Sequence, residues 1–166
     1  MSLELNSSDL NENTDILNTL REFKSLSYRS NSPEDTAIFA KVVAKYIPPS
    51  TVIALNGSMG AGKTAFAKFF AEGLGIKSAV SSPTFTIMNI YQGGRLTMYH
   101  FDAYRIENSD EMLEIGFEEF LYGDGVCIVE WAELIKDILP SQHISIKIDV
   151  LCENQRLISI KEECYG

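Results

Sequence analysis

Apolar positions in the first half of the chain predict alternating strands and helices. Residues 23–28 are expected to form a short strand, and residues 51–55 form an apolar, partly β-branched run that is typical of a buried strand. Between them, Ser32 can cap a helix and Pro33 suits its first position. This helix would have an apolar face made of Ile38, Phe39, Val42, Val43 and Tyr46. A second helix is predicted over residues 63–73.

Shorter segments in the second half of the chain predict a hairpin, a helix and further strands. Residues 85–91 and 96–101 are separated by a Gly-rich turn, as in a β-hairpin. Residues 109–121 have helical spacing. Further strands are predicted at residues 126–129, 144–148 and 157–160. Together these elements predict an α/β fold with a central, mostly parallel sheet, antiparallel additions and flanking helices.

The length of the chain, 166 residues, is that of one domain. Residues 1–20 are polar and lack a regular period until Ile16 and Leu17, so we expect a flexible N-terminal extension. The predicted domain then spans residues 21–166.

Composition and charge narrow the classes of function. The formal net charge of −9 opposes direct binding to RNA or DNA, because such binding needs clustered lysines and arginines. The sequence has no apolar run long enough to span a membrane and no signal-peptide pattern at its start. Its three cysteines have no metal-binding or redox spacing. We therefore expect a cytoplasmic protein without a membrane or DNA partner.

A glycine-rich motif carries the strongest chemical signal. Residues 57–64 match G-x-x-x-x-G-K-[ST], with a predicted strand before them and a predicted helix after them. This context favours a P-loop NTPase-like domain over a chance match to a glycine-rich turn. Backbone N–H groups would surround phosphates, Lys63 would neutralise them, and the Thr64 hydroxyl would bind Mg²⁺. The predicted nucleotide-binding residues here are Gly57, Ser58, Met59, Gly60, Ala61, Gly62, Lys63, Thr64 and Ala65.

Two carboxylates follow predicted strands and are candidates for the Mg²⁺ site. Glu130 follows the apolar run 126–129, and Asp102 follows the strand 96–101. Ligands of parallel α/β sheets gather at the carboxyl ends of strands, and phosphate hydrolysis needs carboxylates that hold the metal or orient water. Either residue could instead be a solvated loop acid, and the case for Asp102 is weaker because the place of its hairpin in the sheet is unknown.

Three further residues have both a functional and a structural interpretation. Thr84, in the segment Ser82-Pro83-Thr84, could sense the γ-phosphate or belong to a simple turn. His100 could be a base, although a structural role is the simpler interpretation. Trp131 could cover the nucleotide or fill the core.

Four ordered motifs resemble one family. Besides residues 57–64, they are Ser82-Pro83-Thr84-Phe85-Thr86, Tyr99-His100-Phe101-Asp102-Ala103-Tyr104-Arg105 and Val129-Glu130-Trp131-Ala132-Glu133. In order and spacing they resemble the TsaE (YjeE) family, bacterial ATPases of tRNA threonylcarbamoyladenosine biosynthesis, over about residues 22–162. The chain departs from the family's common pattern at Ser58-Met59, where Asp-Leu is common, and at Ala132, where Pro is common.

The resemblance implies a set of roles. Thr64 and Glu130 would hold Mg²⁺, Asp102 would assist the metal or the attacking water, and Thr84 would lie in a switch-like loop. Lys63 would act on the phosphates, Trp131 would lie near the nucleotide, and Thr36 would lie on its adenine side. The family's partner is the TsaD–TsaB heterodimer, so tRNA would be reached only through that complex, and ATP hydrolysis to ADP would reset it.

Two other functions stay open from the sequence. A small-molecule kinase would share the P-loop, but the five arginines form no obvious lid cluster. A nucleotide-dependent binding module would order the Thr84 segment on binding ATP without needing hydrolysis.

Overall fold

The computed structural model describes residues 2–164, which form one α/β arrangement. Its strands are β1 (Ser2–Asn6), β2 (Ser25–Ser30), β3 (Thr51–Gly57), β4 (Met88–Tyr91), β5 (Met98–Asp102), β6 (Val126–Glu130), β7 (Gln142–Cys152) and β8 (Gln155–Cys164). Its α-helices are α1 (Ile16–Phe23), α2 (Pro33–Tyr46), α3 (Lys63–Gly73), α4 (Asp110–Glu114) and α5 (Phe117–Leu121). None of the helices in this described part of the chain has the length and apolar run that crossing a bilayer requires.

The eight strands described form one sheet in the order β1-β2-β8-β7-β3-β6-β5-β4. Strands β7, β3, β6 and β5 are parallel neighbours at its centre. Strand β4 is antiparallel to β5, and β8 is antiparallel to both β7 and β2. The predicted fold, a mostly parallel centre with antiparallel additions and flanking helices, is confirmed.

Alternate residues of the central strands face two separate cores. On β3, Ile53 and Leu55 belong to the core beneath α1, α2 and α3, where Phe39, Phe66 and Phe70 are fully buried. Val52 and Ala54 belong to the core on the opposite face, beneath α4 and α5. This alternation is expected of a strand that is covered on both faces.

The N-terminal segment differs from the flexible extension that was expected over residues 1–20. Within it, β1 pairs in parallel with β2, and residues 16–20 begin α1. Ile16, Leu17 and Leu20 are buried against the core, and Leu10 joins them. This segment has few apolar residues and no regular period, so its sequence does not predict the burial of Leu10, Ile16, Leu17 and Leu20. In this structure the first 20 residues thus contribute a strand and part of a helix to the fold, and the domain bounds 21–166 stay a prediction.

The predicted helix over residues 109–121 is wrong in one respect, since it is two short helices. Gly116 lies between α4 and α5 with φ of +84°, a left-handed conformation that interrupts helical geometry. The predicted hairpin strands are shorter than expected, whereas β7 and β8 are longer and form an extended antiparallel pair.

Candidate functional site

Strand order brings the predicted site residues to one edge of the sheet. The loop of residues 57–62 connects β3 to α3, and β6 and β5 are the next two strands beside β3. The parallel register places Leu55 beside Glu130 and Glu130 beside Asp102. Asp102 is therefore not a solvated hairpin acid, because its strand lies within the parallel part of the sheet. This is the edge at which ligands of open α/β sheets bind.

Glycines permit the path of the loop at two positions. A Cβ atom on Gly57 would lie 2.7 Å from the carbonyl oxygen of Ile148 on β7, so no larger residue fits there without a shift. Gly62 has a φ of +108° immediately before α3, which an L side chain rarely adopts. The loop consequently turns tightly into the N-terminus of α3, where free N–H groups favour an anion.

Lys63 folds back over this loop. Its Nζ donates to the carbonyl oxygens of Gly57, at 2.6 Å, and Ser58, at 3.0 Å. The same Nζ lies 4.0 Å from the ring centroid of Trp131, within the range of a cation–π contact. Burial lowers the pKa of Lys63, and the nearby carboxylates Glu130, Glu133 and Asp102 counteract that shift. A bound phosphate would add negative charge beside this ammonium and favour its charged form further.

Glu130 lies at the centre of the site and is almost fully buried. Thr64 Oγ1 donates to Glu130 Oε1 over 3.1 Å. His100 Nε2 lies 2.5 Å from Glu130 Oε2. The hydroxyl and the carboxylate that were expected to share Mg²⁺ are therefore adjacent before any ligand is added.

Asp102 organises the loop that carries Thr84. Its Oδ2 accepts hydrogen bonds from Ser82, over 3.0 Å, and from Thr84, over 3.2 Å. Its Oδ1 accepts from the backbone N–H of Tyr104, over 2.9 Å. The hydroxyl oxygens of Ser82 and Thr84 are 2.8 Å apart, so one hydroxyl can donate to the other instead of to Asp102. Thr84 is thus tied to a carboxylate of the site, which a simple turn would not require.

These side chains enclose an open cavity of about 340 Å³. It is lined by Met59, Gly60, Gly62, Lys63, Thr64, Ala65, Ser82, Thr84, Asp102, Tyr104, Glu130 and Trp131. The rings of Trp131 and Tyr104 lie 5.0 Å apart and both border the cavity, while Trp131 also packs against the core beneath α4 and α5. Larger concavities elsewhere lack this combination of a cation, carboxylates and a glycine loop.

A second cavity, of about 160 Å³, lies on the other side of the start of α3. It shares Gly62 and Ala65 with the first and is also lined by Ala61, Thr36 and Arg156. The Thr36 hydroxyl is bonded to Ser30 Oγ at 2.7 Å, so Thr36 lies beside the loop but apart from the carboxylates. Arg156 Nε donates to the carbonyl oxygen of Ala61 over 3.0 Å and ties β8 to the loop.

The donor set fits a magnesium nucleotide. Within residues 2–164, no three His, Cys, Asp or Glu side chains are grouped so as to hold a metal ion by themselves. Mg²⁺ is commonly bound by one or two carboxylates together with substrate phosphates, and this site offers Thr64, Glu130 and Asp102 beside a phosphate-binding loop. The residues present suit a metal that arrives with its nucleotide.

The structure adds two residues that the sequence did not offer as candidates for the site, since Ser82 shares Asp102 with Thr84 and Arg156 supports the loop. It also gives His100, which the sequence offered as a base or a structural residue, a contact with Glu130. Alternation along β5 places His100 and Asp102 on the same side of the strand, which was a usable signal. Arg156 is 95 residues from Ala61, and no local pattern connects the two.

Comparison with known proteins places the chain in a family. Residues 30–158 match the family described as threonylcarbamoyl adenosine biosynthesis protein TsaE. The tRNA threonylcarbamoyladenosine biosynthesis protein TsaE of Bacillus subtilis strain 168 is 46% identical over 136 residues, which cover 82% of this chain and 85% of that protein. The protein of the same description from Treponema pallidum is 41% identical, covering 79% and 96%.

A solved structure is similar as well. The crystal structure of YdiB from Bacillus subtilis aligns with a TM-score of 0.74 and 41% identity, covering 84% of this chain and 86% of that one. The family match spans more than half of the chain, and the relatives are similar over most of their length. The chain therefore belongs to the TsaE family, whose members function in tRNA threonylcarbamoyladenosine biosynthesis.

Proposed function

We propose that this protein is a Mg²⁺-dependent ATPase that serves the tRNA threonylcarbamoyladenosine pathway. One observation carries the proposal: Thr64 and Glu130 are hydrogen-bonded at the end of β6, beside a phosphate-binding loop and Lys63. This arrangement has what phosphoryl transfer to water requires, namely a phosphate cradle, a cation and metal-binding oxygens.

Each residue has a defined part in the proposed reaction. The N–H groups of the loop would hold the phosphates, and Lys63 would move its ammonium from the Gly57 and Ser58 carbonyls to a phosphate. Thr64 and Glu130 would hold Mg²⁺, and Asp102 would assist the metal or the attacking water. When bound, Mg²⁺ supplies positive charge to the β- and γ-phosphate oxygens.

The proposed partner is the TsaD–TsaB heterodimer, with tRNA reached only through that complex. Exposed apolar side chains beside the site support a protein partner, since Met59, Phe85 and Tyr104 are at least 45% exposed. The acidic chain suits contact with protein rather than with nucleic acid. Since the pathway modifies tRNA, the proposal places the protein in the cytoplasm.

The kinase alternative is weakened by the positions of the arginines. Arg21 and Arg29 pair with glutamates, and Arg95 donates to the carbonyl oxygens of Ala44 and Ile47 at the end of α2. A kinase lid would need arginines that close over the phosphates. Of the five, Arg105 lies in the loop after Asp102 and stacks on Phe85, and Arg156 is bonded to backbone carbonyls.

The binding-module alternative has one observation in its favour. Ser82 and Thr84 both bond to Asp102 beside the proposed nucleotide site, so a bound magnesium nucleotide would act on the contacts that order the segment carrying exposed Phe85. A Glu130→Ala variant separates this alternative from the ATPase. If this variant binds ATP and fails to hydrolyse it, yet still supports tRNA modification, hydrolysis is not the function.

The first test measures ATP hydrolysis by the purified protein, alone and with TsaD–TsaB, beside a Lys63→Ala variant. We expect slow turnover alone, faster turnover with the heterodimer, and a loss of at least about 100-fold in the variant, because Lys63 stabilises transferring charge. Turnover that ignores the heterodimer would remove the proposed partner. A Lys63→Ala variant that binds and hydrolyses ATP normally would remove the ATPase proposal itself.

A further inference from the structure

His100 is fully buried behind the proposed metal site, and its place on β5 determines what it contacts. It lies opposite Ile128 in the parallel register with β6, two positions before the Asp102–Glu130 pair. Its Nε2 is 2.5 Å from Glu130 Oε2, a short hydrogen bond between two side chains that are almost completely removed from water. This contact is additional to the Thr64 bond on the same carboxylate.

The direction of this hydrogen bond follows from the chemistry of the two groups. A carboxylate that binds Mg²⁺ is ionised and only accepts hydrogen bonds, so in the proposed site Nε2 of His100 would be the donor. The other ring nitrogen, Nδ1, is buried without a hydrogen-bond partner among the described residues. His100 therefore has a single polar contact, and that contact is with Glu130. A histidine whose purpose was to hold β5 and β4 together would be expected to use its second nitrogen.

We propose that His100 is a positioning residue for the metal site, fixing the Glu130 carboxylate so that its second oxygen faces Thr64 and Mg²⁺. The inference rests on the proposed function, since it concerns the metal of the same nucleotide site. The last torsion of a glutamate side chain has a broad energy profile, so an unsupported carboxylate rotates. Residues that hold metal ligands in this way commonly account for roughly 10–100-fold of metal affinity.

Variants of His100 distinguish a positioning role from a purely structural one by how their nucleotide affinity depends on Mg²⁺. Loss of a structural histidine would lower stability and weaken nucleotide binding whether or not Mg²⁺ is present. Loss of a positioning histidine would lower only the gain in affinity that Mg²⁺ adds. Lys63, which would hold the phosphates, is hydrogen-bonded to the carbonyl oxygens of Gly57 and Ser58 rather than to Glu130 or His100. The ratio of nucleotide affinities with and without Mg²⁺ is thus the quantity to measure.

The chain offers matched variants and a built-in reporter. In His100→Gln the amide nitrogen is as many bonds from Cβ as Nε2 is in histidine, so a donor remains within reach of Glu130. His100→Asn is a similar amide that is one carbon shorter and places no donor there, and His100→Leu is a second variant without a donor. Trp131 is the single tryptophan and its ring contacts Lys63, so its fluorescence is the signal with which nucleotide binding would be followed.

The experiment titrates each protein with ADP, with and without Mg²⁺, and follows thermal unfolding alongside. We expect the wild type and His100→Gln to show the Mg²⁺ gain, and His100→Asn and His100→Leu to lose roughly 10-fold or more of it while keeping metal-free affinity. If one donor-less variant does not fold, the other is compared with His100→Gln.

The outcomes are distinguishable from those of the proposed function. A wild type that binds no nucleotide, or gains nothing from Mg²⁺, contradicts the proposed ATPase. A wild type with a clear Mg²⁺ gain that survives in the donor-less variants overturns the role of His100. Equal loss of the gain in His100→Gln and the donor-less variants overturns it too, because ring shape rather than the donor would then matter.

Discussion

Burial shifts the pKa values of Lys63 and Cys127 in opposite directions. At Lys63, burial disfavours the charged ammonium and lowers its pKa. A phosphate bound beside Lys63 would raise that pKa again. At Cys127, on β6, burial also opposes the charged form but raises the pKa, from near 9 to about 12. Burial thus disfavours the charged form of both groups. At Lys63 a bound phosphate would offset this effect, whereas the Cys127 thiol stays protonated.

The raised pKa of Cys127 predicts how stability changes at alkaline pH. Between pH 9 and 12 the thiol ionises in the unfolded chain but stays protonated in the folded one, so the unfolded state binds fewer protons and the free energy of unfolding falls. In a Cys127→Ala variant this component is absent. The stability advantage of the wild type should therefore shrink between pH 8 and 11, by on the order of 1–3 kcal/mol. Urea unfolding under reducing conditions measures it.

Cys152→Ala is the matched control, because that side chain is exposed and its removal leaves no cavity. It should follow the wild type at every pH. A Cys127→Ala variant whose stability difference from the wild type is constant with pH would show that the buried thiol does not control this titration.

At the level of elements, the parts that depend on local pattern were predictable. The loop and α3 have a motif and a helical face within 20 residues, and the predicted helix over residues 63–73 coincides with α3. The predicted helix over residues 109–121 is wrong because it rests on the spacing of apolar residues, which continues across Gly116 and does not show the break there. Its left-handed φ is compatible with a break between two helices, each too short to show a clear period.

Pairing between distant elements limited what could be predicted about the site. Whether Asp102 could belong to the site depended on whether β5 joined the parallel centre of the sheet. The sequence of β5 does not show which strand pairs with it. The contact between His100 and Glu130 arises only once β5 and β6 are adjacent. The residues of the motifs could therefore be named from the sequence, while their mutual geometry could not.

The N-terminal helix gives an element-scale prediction. Ile16 of α1 is fully buried, so Ile16→Ala should lower the free energy of unfolding by about 2–5 kcal/mol. A residue in a flexible extension would show no such loss. Asn18→Ala, on the exposed side of the same helix, is the control and should cost less than about 1 kcal/mol. Denaturant unfolding of both variants decides whether this segment belongs to the folded domain.

For the whole molecule, the net charge and the surroundings of the proposed site indicate a protein partner rather than direct contact with tRNA. Acidic residues outnumber basic ones by 23 to 14, so the average field repels tRNA. The proposed nucleotide site is instead bordered by exposed Phe85, Tyr104 and Met59, which suit a protein surface. In the proposed division, this protein would bind ATP and the partner complex would bind tRNA.

This division predicts that the protein alone does not retain tRNA at physiological salt. Binding of labelled tRNA, measured by filter retention or gel shift over a series of salt concentrations, should be absent for the protein alone and should require TsaD–TsaB. Non-specific nucleic-acid binding weakens steeply with salt because phosphate contacts release counterions. A salt-sensitive complex of tRNA with the protein alone would therefore reveal a local basic surface that the net charge conceals. In that case tRNA would be a direct partner, and the proposal that it is reached only through the heterodimer would be wrong.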